Sequence, residues 1–280
     1  MLRCMVVCCA LFVSAVAFGQ GDTPSIVGSS AISGLVGGQE GKSAGLFSLA
    51  DDFSQLKILP SFTFGAPSGM VPGFGTVFAG ISGTINGLED GAQDGALAFG
   101  GGFGDPFKAI GGYASLSVGS INPADGGEFN RGALGLGFGH TFKNYALGVA
   151  VGINTIDLWH DKAVNEIEYP SFYLAVTKLL ANDFAPVILT AGAGNSAFGN
   201  VNESNAKNRK YDAQEFLAAA VYILPQLSLI GDYTAGITTA GVSIVPCPRY
   251  PVVVGLAAND ILTQSNGINA MATIGFGYAF

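Results

Sequence analysis

Tyr145-Ala146-Leu147-Gly148-Val149-Ala150-Val151-Gly152-Ile153-Asn154 reads with a period of two. One face is Tyr, Leu, Val, Val, Ile and the other Ala, Gly, Ala, Gly, Asn, so a strand here has a greasy side and a small, slightly polar side. The preceding stretch repeats the scheme, with Leu134, Leu136 and Phe138 alternating against Gly135, Gly137 and Gly139. Lys143-Asn144 between them reads as a tight turn, and the two strands make a hairpin. In a soluble sandwich the face away from the core meets water and carries Lys, Glu, Thr or Gln. Here that face is Gly, Ala, Ser and Thr. A barrel closed on itself in lipid resolves the mismatch: the greasy face meets acyl chains, the small face lines the interior, and closure satisfies every backbone donor and acceptor.

Working outward from the hairpin, the same alternation places strands at about residues 75–85, 95–103, 110–121, 132–142, 145–154, 169–179, 186–195, 213–224, 226–235, 238–245, 251–260 and 270–280. The expected fold class is therefore all-β, a transmembrane antiparallel up-and-down barrel of about twelve strands, with an N-terminal segment outside the wall. Connections alternate between long (86–94, 122–131, 155–168, 196–212) and short (104–109, 143–144, 180–185, 225), and only the short Gly236-Ile237 link departs. Charges gather in the long ones: Asp125, Glu128 and Arg131; Asp157, Asp161, Lys162, Glu166 and Glu168; Glu203, Lys207, Arg209, Lys210 and Asp212. Few fall mid-strand, where a lipid-facing Lys or Arg costs roughly 2–4 kcal/mol.

Composition excludes other classes. Charged residues are 11% of the chain against roughly 25% in a soluble domain, too few to clothe a water-facing surface. With 49% apolar residues the chain is not disordered. A net charge of -8 argues against nucleic acid, which attracts clustered Lys and Arg. Residues 1–19, with Arg3, an apolar run from Cys4 to Val13 and Ala17-Phe18-Gly19 before Gln20, fit a removable export signal. Cys4, Cys8 and Cys9 leave with it and Cys247 stays, so neither an internal disulfide nor a cysteine metal cluster is expected.

Thr273-Ile274-Gly275-Phe276-Gly277-Tyr278-Ala279-Phe280 sets Ile274, Phe276, Tyr278 and Phe280 on one face and stops at the aromatic. This resembles the closing strand of bacterial outer-membrane barrel proteins, whose C-terminal aromatic and alternating apolar residues are read by the barrel-assembly machinery. The resemblance covers residues 75–280 and implies a Gram-negative outer-membrane location, with outer-membrane lipid and lipopolysaccharide as surroundings. A looser similarity runs from Pro225 to Phe280, where Leu227-Ser228-Leu229-Ile230-Gly231-Asp232-Tyr233, Ala240-Gly241-Val242-Ser243 and Val252-Val253-Val254-Gly255-Leu256 resemble barrel modules of exopolysaccharide-associated outer-membrane proteins. The acidic charge departs from the basic interiors of barrels that pass acidic sugars.

Residues 20–74 leave two readings open: a plug inside the lumen, or a periplasmic leader beneath it. Ser25–Gly38 is rich in Gly and Ser, Ser43–Leu59 holds a possible amphipathic helix, and Pro60, Pro67 and Pro72 punctuate an extended stretch with Phe62 and Phe64. Asp232 shares a face with Ser228 and Thr234 and is expected to point inward, where an ionisable side chain in a span is a functional candidate. With Ser115, Ser117, Asn154 and Thr190 it makes the candidate lumen set. Lys207, Arg209 and Lys210 form a basic loop cluster that could meet lipopolysaccharide phosphates. Tyr145, Tyr169, Phe172, Tyr222, Phe276 and Tyr278 read as girdle and lipid-facing anchors, and Asp260 as solvent-facing. His140 and His160 are the only histidines, and no Ser pairs with either from spacing, so no enzyme, cofactor or metal is expected. Two functions follow as expectations: a conduit for small solutes or an exported polymer, or a non-conducting surface protein whose loops bind a partner or lipid.

Overall fold

A computed structural model of the chain describes residues 58–86, 93–119, 121, 129–160, 170–180, 185–199, 213–262 and 268–280. Twelve strands follow one another: β1 (Thr76–Asn86), β2 (Gln93–Gly104), β3 (Gly111–Gly119), β4 (Arg131–Phe142), β5 (Leu147–His160), β6 (Ser171–Leu180), β7 (Val187–Gly194), β8 (Gln214–Leu224), β9 (Leu227–Thr234), β10 (Ile237–Ile244), β11 (Val252–Asn259) and β12 (Asn269–Ala279). Each pairs antiparallel with its neighbours in the chain, and β12 pairs with β1 through Thr76↔Ala279 and Asn86↔Asn269, so the sheet closes. Closure leaves no strand edge unpaired. The C-terminal residue completes the seam, the Phe280 N–H donating to the Gly75 carbonyl at 3.0 Å.

Side-chain alternation puts one residue type on each face. On β6, Ser171, Tyr173, Ala175, Thr177 and Leu179 are buried, while Phe172, Leu174, Val176 and Leu180 are exposed. Phe99, Val151, Leu189, Leu217, Val221, Leu229, Leu256 and Phe276 continue that exposed apolar band on other strands. Inward lie Ala98, Ala150, Thr190, Ala218, Ser228, Thr239, Ser243 and Thr273, all buried.

Three local expectations are corrected. The two-residue turn at Lys143-Asn144 is longer: Lys143–Tyr145 form a single 3-10 turn, Ala146 takes a left-handed φ of 46°, and β5 starts at Leu147. At its other end β5 outruns residue 154, because register shifts against β4 and a left-handed Thr155 (φ 55°) absorb extra residues and let pairing resume to Arg131↔His160. Arg131 and Asp157, expected in loops, are therefore strand residues. Asp260, expected in solvent, is fully buried. At the β2–β3 connection, Lys108 hydrogen-bonds Asp105 at 3.0 Å and holds its carboxyl below the ordinary carboxylate range; burial acts against this, and the Phe107 and Lys108 N–H groups act with it.

The interior is not empty. Residues 58–73 pass inside the wall, and Ile58, Leu59, Phe62, Phe64, Ala66, Met70 and Val71 are almost wholly buried. Ile58, Leu59, Phe62 and Phe64 pack with Leu179, Ile188, Tyr222, Val245 and Met271. Met70 and Val71 pack with Phe78, Tyr113 and Ala150. The expected helix over Ser43–Leu59 falls, apart from its last two residues, outside the described residues.

Candidate functional site

The contacts of residues 58–75 follow from what this stretch lacks. Pro60, Pro67 and Pro72 donate no hydrogen bond and hold the chain extended, so the stretch cannot join the sheet as a strand. Its remaining backbone groups, removed from water, still need partners, and the wall supplies them from side chains. The Tyr222 hydroxyl donates to the Pro60 carbonyl at 2.8 Å, and Ser228 donates to the Ser61 carbonyl at 2.6 Å. The Ser61 N–H donates to Ser243 Oγ at 2.9 Å, and the Gly69 N–H to Thr177 Oγ1 at 2.8 Å. Thr177 in turn shares a hydrogen bond of 2.9 Å with Thr190.

Asp232 is the centre of this set. The N–H groups of Phe64, Gly65 and Ala66 all converge on its Oδ2, at 2.9, 2.9 and 3.0 Å. Thr234 donates to the other oxygen at 2.7 Å. The carboxyl accepts at every one of these bonds, the arrangement an ionised carboxylate takes. Asp232 is 4% exposed, and Gly65 is the only residue from Ile58 to Gly73 that is not buried.

Small wall residues let the segment's backbone come close. A Cβ added to Gly148 would lie 2.6 Å from the Gly69 oxygen, and one added to Gly69 would lie 2.5 Å from the Gly148 oxygen. Gly102 stands in the same relation to the Gly73 oxygen. The small inward face is thus the complement of a second stretch of chain.

The path is a loop. Ile58 and Leu59 lie in the apolar cluster near the short connections, where Leu179, Tyr222 and Val245 sit. Phe64–Ala66 reach Asp232, in the half of β9 away from those connections. Gly69 then meets Gly148, at the start of β5, and the Phe74 N–H donates to Gly104, at the end of β2, at 2.7 Å. Both ends of the loop are therefore on the short-connection side. From the opposite side, Phe198 on the 3-10 turn Ser196–Phe198 between β7 and β8 is buried in the cluster that joins Ala66 to Tyr173, Ala175, Phe216 and Ala218. Its ring lies 5.9 Å from that of Tyr173 and 5.5 Å from that of Phe216. Tyr113 and Tyr173 share a hydroxyl hydrogen bond of 2.9 Å within the lumen.

Of the lumen candidates, Asp232 touches the inner loop directly and Thr190 does so through Thr177. Ser115 and Asn154 face each other above Gly135, where a Cβ would lie 2.8 Å from Ser115 Oγ and 3.0 Å from Asn154 Oδ1. Ser117 donates to the Ala133 carbonyl at 3.2 Å. Phe276, Tyr278 and Phe280 are exposed on the outer face, with Ile274 half-buried beside them. Lys207, Arg209, Lys210 and Tyr169 lie outside the described residues. Tyr222 corrects the girdle reading: it points inward, because both faces of β8 are apolar and the alternation alone does not set its phase. Tyr222, Ser228, Ser243 and Thr177 were not among the candidates, yet all bond the loop or its support. For Ser228, Ser243 and Thr177 the signal in the sequence was only a hydroxyl in the inward phase, and for Tyr222 there was none.

His140 Nδ1 meets the Ala109 carbonyl near the short connections, and His160 Nδ1 pairs with Asp157 at 2.6 Å at the far rim. Among the described residues no three His, Cys, Asp or Glu side chains gather as metal ligands.

No protein-family model and no curated protein matches the chain. Several solved structures of barrels are similar to it in outline. The outer membrane protein Omp33 of Acinetobacter baumannii aligns at 11% identity over 73% of this chain and 97% of its own, with a TM-score of 0.40. An outer membrane channel of Pseudomonas putida F1 aligns at 10% identity over 74% and 96%, with a TM-score of 0.42. Wzi of Escherichia coli, an outer membrane protein involved in group 1 capsule assembly and a carbohydrate-binding β-barrel, aligns at 12% over 71% and 55%, with a TM-score of 0.27.

Proposed function

We propose that this chain is an integral outer-membrane barrel and a conduit for small solutes, held shut by its own residues 58–74. The observation that carries the reading is the Asp232 carboxylate gathering three consecutive backbone N–H groups of the inner loop. The loop is bound by side-chain hooks and not by a strand ladder, and both its ends lie on one side. It can leave the lumen without opening the wall. The membrane setting is supported by the apolar outer band, the alternating connection lengths and the aromatic closing strand. The short connections then face the periplasm. The partners implied are outer-membrane lipid, lipopolysaccharide near Lys207, Arg209 and Lys210, and the assembly machinery that reads Ile274, Phe276, Tyr278 and Phe280.

A second reading, a non-conducting surface protein, draws on Phe198, which fills the lumen from the opposite end. Planar-bilayer recording of residues 20–280 beside a variant lacking residues 58–72 separates the two. Folding of both is checked by the shift in gel mobility on heating. The conduit reading expects rare steps from the full chain and frequent ones from the variant. Silence from both folded proteins supports the surface-protein reading.

A further inference from the structure

Asp232 holds its position in an unusual balance. Its four partners are all neutral donors, three backbone N–H groups and one hydroxyl. The other hooks that bind the loop, Ser228, Ser243, Thr177 and Tyr222, are hydroxyls and carry no charge either. The loop's apolar neighbours Tyr173, Phe198 and Phe216 supply no cation. Of the described charged residues at the long-connection end, Arg131, Asp157 and His160 belong to the paired ends of β4 and β5, far along the wall from β9, and the buried Asp260, which follows β11, is a second acid and not a cation. These four bonds draw on the carboxylate's charge alone, and a cationic donor in their place adds the direct attraction of opposite charges, which is strong where water is excluded.

Access favours the same outcome. Within the buried run from Ile58 to Gly73, Gly65 alone is partly exposed, and it is one of the three residues whose N–H meets Oδ2. The residue at the centre of the latch is therefore the one that the interior covers least. A compact cation bearing several N–H groups matches the fan of donors that Oδ2 already accepts.

We infer that Asp232, with Thr234, is a binding site for small organic cations of the guanidinium or primary ammonium type, and that such a cation opens the barrel by taking the carboxylate from Phe64, Gly65 and Ala66. The inference rests on the conduit reading and names its solute class. The cation binds the open form better than the closed one and so shifts the population between them. Once the loop is displaced, Asp232 faces the passage and favours cations over anions there.

The test uses the full chain in a planar bilayer at constant ionic strength. Methylguanidinium is added to the long-connection side, and tetramethylammonium, which has equal charge and no N–H, is the control. The expected result is a rise in open probability of roughly tenfold with methylguanidinium and none with tetramethylammonium, as differential binding requires. The variant D232N, folded by the heating-mobility criterion, is expected to lose the response; D232E, which keeps the charge, is expected to retain part of it. Equal action of both cations, or an undiminished response in D232N, overturns the inference. Conduction by the variant lacking residues 58–72 together with indifference of the native chain to methylguanidinium overturns this inference and leaves the conduit reading standing. Silence from that variant as well defeats both.

Discussion

Asp232 offers two carboxylate oxygens to four donors, and three of those donors belong to residues 168, 167 and 166 positions away in the chain. Replacing it by alanine leaves three N–H groups without an acceptor, and each buried unsatisfied donor costs about 1–3 kcal/mol. The strand ladder is indifferent to the change, since β9 pairs with β8 and β10 through its backbone. In D232A the loop is therefore expected to leave while the barrel persists. A cysteine at position 66 (A66C), in a chain whose buried Cys247 is replaced by serine, reads this out. Thiol reagent is expected to label A66C slowly with Asp232 present and at least roughly tenfold faster in D232A, as an opening equilibrium shifted by these costs requires. The heat-modifiable gel band is expected to stay.

At the scale of elements, two short pieces of chain meet in the lumen, and they are held differently. The inner loop is fixed by hydrogen bonds at Pro60, Ser61, Phe64–Ala66 and Gly69, whereas the 3-10 turn at Ser196–Phe198 enters through one ring. That turn is tied at its base by the Ala197 N–H to Ser171 Oγ and by Asn195 Oδ1, which accepts from the Phe172 N–H. Truncating a buried Phe to Ala costs about 3–5 kcal/mol in a packed core. F198A is therefore expected to clear the long-connection side above Ala66 and leave the inner loop hooked. Measured with an impermeant thiol reagent on A66C, labelling from that side is expected to rise while bilayer conductance stays at the native level. The hairpin from β4 to β5 shows what pattern reading misses at this scale. Its alternation was legible through Asn154, but the left-handed Thr155 and the pairing that resumes beyond it depend on the partner strand and not on local sequence.

For the whole molecule, the interior is filled by its own chain while the outer face carries an apolar band, and the proposed lipid setting is what would cover that band. Arginine at Leu217, on the outer face of β8, is expected to lower stability in liposomes by about 2–4 kcal/mol, and arginine at Tyr145, in a connection, by about 0–1 kcal/mol. Urea titration of folded L217R and Y145R in phosphatidylcholine vesicles checks this. Equal losses at both sites would remove the membrane setting. The closed sheet of twelve strands was written in the sequence because a strand's two faces alternate at every residue, and each strand reports its own inside and outside. Strand ends followed within one or two residues nearly everywhere, and Asp232 and Thr190 could be placed inward from phase alone. Tyr222 could not, since β8 is apolar on both faces. Nor could the occupancy of the lumen. Small inward side chains are equally consistent with an open passage and with a space reserved for another stretch of chain. Only the folded molecule, by setting Phe64–Ala66 against Asp232 and Gly69 against Gly148, decides between them, because those contacts join residues far apart in sequence that no local period relates.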